Sequence, residues 1–137
     1  LIHQQKNNNM SYYLSKTVTD DFDTAISSVT EELKKEGFGI LTEIDIKETL
    51  KKKLDVDFRK YKILGACNPH FAHQALLAEA MIGTMLPCNV IVQEGKNSTV
   101  NISIVDPVAS MMAVKNDKLG DLATEVREKL QRVIDNV

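Results

Sequence analysis

Two short stretches, Gly65-Ala66-Cys67-Asn68-Pro69-His70 and Leu86-Pro87-Cys88, hold both cysteines of the chain and two of its three prolines, and His73 follows close behind the first. Thiols and imidazoles so placed could do two kinds of chemistry. Asn68 before Pro69 is a helix-start pair, a cap followed by the first helical residue. Cys67 then sits just outside a helix N-terminus, where unpaired backbone N–H groups and the positive end of the helix dipole favour a thiolate over a thiol. With Cys88 as resolving partner and His70 as a nearby base, Cys67 would be a nucleophilic or redox thiol. In the second reading Cys67, His70, His73 and Cys88 supply four ligands to a zinc-like ion. A field that favours a thiolate opposes a bound cation, and the chain has no C-x-x-C pair, so the expectation is no metal and no cofactor. Against both stands a plainer reading: the cysteines are small buried hydrophobes and the histidines surface residues of a helix.

The elements that must position these residues follow from hydrophobic spacing. Residues 12–18, rich in aromatic and β-branched side chains, predict a strand. Asp20 predicts an N-cap, with Phe22, Ala25, Ile26, Val29 and Leu33 at helical spacing and Gly37 closing the helix. Residues 40–46 alternate, Ile40, Ile44 and Ile46 on one face and Glu43 and Asp45 on the other, which predicts a half-buried strand. Ile46, Leu50 and Leu54 suggest a short helix, and Lys51-Lys52-Lys53 reads as its solvated face rather than a phosphate site. Residues 61–67 predict a third strand whose small residues near Cys67 permit close backbone approach. The helix after Asn68 is expected to run through Ala72, Ala75, Leu76 and Ala80 and to stop near Gly83.

Residues 90–93 and 99–105 predict two strands joined by a hairpin around Gly95. Asp106 before Pro107 reads as the N-cap of a short segment rather than an acid–base carboxylate. Leu119, Leu122, Ala123, Val126, Leu130, Val133 and Ile134 form one stripe of a long final helix. Met81, Met85, Met111 and Met112 are expected to fill core gaps or a dimer contact rather than to line a soft ligand pocket. This order predicts one α+β domain, a sandwich of roughly five short strands covered by helices.

At 43% hydrophobic and 26% charged residues, the 137-residue chain has the composition of a soluble globular domain with a core of its own. A net charge of −2 and the absence of a basic stripe interleaved with aromatics speak against a nucleic-acid partner. No apolar run approaches the roughly 18–20 residues of a spanning helix, so no membrane partner is expected. Residues 1–9, a polar Asn/Gln-rich lead before Met10, lack the pattern of a signal peptide and are expected to be a disordered extension, leaving 10–137 as the domain. The cytoplasm is then the expected compartment, with both cysteines as thiols. No glycine-rich phosphate loop, G-x-S-x-G elbow or H-E-x-x-H is present, so nothing decides whether the chain is an enzyme.

Gly65-Ala66-Cys67-Asn68-Pro69, Gly83, Leu86-Pro87-Cys88-Asn89-Val90-Ile91-Val92 and Asp106-Pro107 together resemble the domain-of-unknown-function family numbered 302, over about residues 10–137. The resemblance implies a compact α+β fold of the TATA-binding-protein-like class, often dimeric, with no established activity. It draws attention to Cys67, Asn68, Pro69, Leu86, Pro87 and Cys88, and leaves His70 and His73 outside the motif. The expected function is a small ligand-binding or thiol redox-linked module with its site at Cys67, Asn68, Pro69, His70, Pro87 and Cys88, its partner an unidentified small molecule. The alternative is a non-enzymatic interaction protein, a homodimer with structural cysteines.

Overall fold

The computed structural model describes residues 11–137; the reading of residues 1–9 as an extension and of Met10 as the start lies outside them. Five strands, β1 (Tyr13–Val18), β2 (Gly39–Asp45), β3 (Tyr61–Cys67), β4 (Cys88–Glu94) and β5 (Val100–Val105), form one sheet in the order β1-β5-β4-β3-β2. Every neighbouring pair is antiparallel. The helices are α1 (Phe22–Lys35), α2 (Ile46–Leu54), α3 (Pro69–Ala78), a four-residue α4 (Pro107–Ser110) and α5 (Asp117–Asn136), with a 3-10 turn over Ala80–Met85. This is the expected α+β architecture: α1 and α5 pack on one face of the sheet, and among the described residues no long helix packs on the other.

Alternation builds the covered face. Leu14, Leu64, Ala66, Val90, Val92, Ile102 and Ile104 point to the same side and meet Ala25, Val29 and Leu33 of α1 and Val126, Leu130 and Val133 of α5 in one core. α1 is capped by Asp21, whose side chain accepts from Thr24 N at 2.7 Å, one residue later than the Asp20 expectation. Gly37 closes it with φ +88°, a conformation that favours glycine. A second cluster, centred on Ala75, Ile82 and Leu119, joins α3 and the 3-10 turn to the start of α5.

Three expectations need correction. A β-bulge leaves Leu41 without a partner between Ile40, opposite Ala66, and Thr42, opposite Gly65. The extra residue inverts the alternation. Ile40 packs on the core, whereas Ile44 faces outward opposite Ile63 and is exposed. α2 buries no side chain fully: Ile46 and Leu50 are half-buried and Leu54 is exposed. The helix after Asn68 also ends earlier than its pattern suggests, at Ala78, and the chain continues as the 3-10 turn.

Candidate functional site

The site is assembled where β3 ends and α3 begins. At Gly65 the sheet is pinched, because an added Cβ would overlap Thr42 Oγ1 and stand 2.8 Å from Pro87 Cγ. The close backbone approach read from the small residues there is thus met by β2 on one side and the Leu86-Pro87 segment on the other. Asn68 caps α3 through Oδ1, which accepts from Phe71 N at 3.4 Å, and Pro69 follows as the first helical residue. The Asn68 amide also donates to Glu36 O at 3.3 Å, tying the start of α3 to the end of α1. Gly37 is part of this joint, since a Cβ there would lie 3.0 Å from Asn68 Nδ2. Arg132 of α5 completes it by gripping the Glu36 carboxylate at 2.9 Å, and that hydrogen bond holds the carboxyl below its usual range.

Cys88 stands opposite Ala66 in the β3–β4 ladder, so its side chain turns to the helix-covered face and packs against the core. Burial pushes its thiol up to about 11, and the nearby Cys67 adds to the effect. Both cysteines are free and half-buried. At neutral pH Cys88 is a protonated thiol and a weak nucleophile.

Above the two thiols lies a cavity of about 310 Å³. Its floor is Ala66, Cys67 and Cys88, with Phe38 and Pro87 beside them; Phe71, Ala72, Ala75 and Leu76 of α3 form one wall and Leu119, Leu122, Ala123 and Val126 of α5 the other. Leu41, the bulged residue, stands at the rim and is 67% exposed. Among the described residues no charged side chain lines the space; Asn68 and the sulfurs of Cys67, Cys88 and Met111 supply its polar or polarizable side-chain atoms.

Of the residues singled out in the sequence, Cys67, Asn68, Pro87 and Cys88 meet at this cavity. Pro69, His70 and His73 do not line it and are exposed on α3. The four-ligand metal set is therefore not assembled, and among the described residues no three His, Cys, Asp or Glu side chains converge to hold a metal ion. Leu41 and the alanines at 72, 75 and 123 were not read as site residues; the signal of the alanines is small side chains on two facing apolar stripes, and Leu41 arrives through the bulge. Asp106 is an N-cap as expected, accepting from Val108 N at 2.9 Å, and it is buried with Arg127 Nε at 2.9 Å.

The model of the family described as "Domain of unknown function DUF302" matches residues 14–137. The chain belongs to the DUF302 family. The fold agrees: the crystal structure of the uncharacterized conserved protein DUF302 from Bacillus stearothermophilus superposes with a TM-score of 0.85 at 28% identity, over 92% of this chain and 98% of that one. No curated protein matches the chain. DUF302 membership accounts for the α+β architecture and names no chemistry. No helix among the described residues is long and apolar enough to cross a membrane.

Proposed function

We propose that the protein binds a small, neutral, largely apolar molecule in the cavity between α3, α5 and the ends of β3 and β4, with Cys67 and Cys88 at its floor. The observation that carries this reading is the cavity itself, whose 310 Å³ is roughly twice the ~150 Å³ that takes up benzene. By that comparison it suits on the order of a dozen non-hydrogen atoms. A charged ligand would lose its hydration without gaining a partner. A protonated Cys88 contributes a polarizable packing surface, which favours binding over thiol exchange. The cytoplasm is the compartment that keeps such thiols reduced.

The test is thermal unfolding with indole, naphthalene or decanol, read beside the alkylation rate of Cys88. Binding raises the melting temperature and slows alkylation. Ala123→Leu fills the cavity and should abolish both effects. A wild-type protein indifferent to all three probes, or a filled variant that still responds, refutes the reading.

A second reading, a homodimeric interaction protein, is favoured by the exposure of Leu77 (76%), Met81 (70%) and Met112 (79%). Such apolar side chains are the kind a partner copy covers. Light scattering decides it. A dimer that Leu77→Asp or Met81→Asp splits supports this reading, and a monomer at high concentration removes it.

A further inference from the structure

The face of the sheet on which none of the described long helices packs is a second candidate site. Alternation places on it the odd-numbered residues of β1, of β3 as far as Gly65, and of β4 and β5, with Thr42 and Ile44 of β2. None of these is Asp, Glu, Lys or Arg, in a chain with 26% charged residues. A groove of about 760 Å³ runs over this face, walled at one end by Thr84, Met85 and Ser110, and its lining is likewise uncharged.

The polar groups of the face are ordered by a closed ring of hydrogen bonds. Asn101 Nδ2 donates to Ser15 Oγ at 2.8 Å, and Ser103 Oγ donates to Asn101 Oδ1 at 2.8 Å. The hydrogen of Ser103 being used, Ser15 closes the ring by donating to Ser103 Oγ at 2.9 Å. Arg59 fixes the direction from outside, gripping Gln93 Oε1 at 3.0 and 2.8 Å so that Gln93 Nε2 turns to Asn101 Oδ1 at 3.4 Å. The ring consumes both hydroxyl hydrogens; Ser15 is exposed and presents its remaining lone pair to the groove as an acceptor, while the buried Ser103 holds it in that orientation. Tyr12, Tyr13 and Tyr61 stand around this row in the same groove, rings with apolar faces and polar tips.

We infer that this groove binds a neutral polyhydroxyl ligand, a carbohydrate, through the Asn101-Ser15-Ser103 ring and the tyrosine rings. A fixed acceptor calls for a ligand that donates, and an uncharged lining, with the Arg59 guanidinium at its edge engaged on Gln93, suits a neutral one. The inference does not rest on the cysteine cavity, which opens toward the helix-covered face and shares only Leu86 and Pro87 with this groove.

The experiment is a titration of the ¹⁵N-labelled full chain with maltotetraose, cellotetraose and chitotetraose, followed by amide chemical shifts. At least one sugar should give saturable shifts confined to the strands of this face and to the Gln93 and Asn101 side-chain amides. Asn101→Ala and Ser15→Ala should each weaken binding about tenfold, worth 1.4 kcal/mol, while the cavity-filling Ala123→Leu leaves it unchanged. Ser15→Ala, on an exposed position of an edge strand, keeps the test decisive if Asn101→Ala unfolds. The absence of saturable shifts with all three sugars in the millimolar range overturns the inference. Shifts of the same residues that track protein concentration without sugar also overturn it, because a second copy then covers the face.

Discussion

Replacing Asn68 by alanine removes two hydrogen bonds at once, the cap on α3 and the tie to Glu36 O. Loss of the cap alone is worth about 0.5–2 kcal/mol, so Asn68→Ala should lower the denaturation midpoint by at least that amount with an unchanged slope. Asn68→Asp keeps the acceptor and loses the donor, and should recover only part of the loss. Cys88 gives the second prediction at this scale. Its thiol is raised from 9.0 to about 11 in the folded chain, so the native state holds its proton after the unfolded state has released one. Stability from this group is complete below about pH 9 and falls as pH rises toward 11. Urea unfolding of wild type and Cys88→Ala across that range should show the wild type losing more, and in a Cys67→Ser background alkylation of Cys88 should accelerate through the same window. Equal pH dependence in the two proteins would show that burial does not perturb Cys88.

At the scale of elements, the pinch at Gly65 sets a sharp constraint. Gly65→Ala drives a methyl into Thr42 Oγ1 and Pro87 Cγ, an overpacking expected to cost about 1–3 kcal/mol. Thr42→Ala in the same chain should restore part of it, and an additive double mutant would place the strain elsewhere. The long amphipathic runs of α1 and α5, β3 to its last residue, and the Asn68-Pro69 start were legible in the sequence because each is decided by local spacing or capping. The bulge at Leu41 was not. Nothing in Ile40-Leu41-Thr42 marks an extra residue, and without it Ile44 reads as buried. The end of α3 was missed for a related reason: Leu76, Ala80 and Gly83 continue an apolar pattern across a chain that tightens to 3-10 geometry. Cys67, Asn68, Pro87 and Cys88 were found as a cluster from flanking chemistry alone. The cavity over them was not, because it is the gap left by small side chains on helices that meet only in the fold.

Across the whole molecule, the strand order has a consequence for how the chain reaches this structure. β3, β4 and β5 are neighbours in the sheet and consecutive in sequence, and β2 adds to β3 on one side. β1 is different: Ser15 pairs with Ser103, so the first strand must wait for the fifth. Closing so long a loop is entropically costly before its contacts reward it. The β4–β5 hairpin and its neighbour β3 are therefore expected in the folding transition state, with β1 docking afterwards. Leu14→Ala should accelerate unfolding and leave the folding rate nearly unchanged, whereas Val90→Ala or Ile102→Ala should slow folding. During synthesis β1 emerges long before its partner exists, and its apolar residues Leu14 and Val18 stay without the core they later join. The last strand pairing to form is then the first to open, so the edge where the chain begins its sheet is also where native-state hydrogen exchange should be fastest among the five strands.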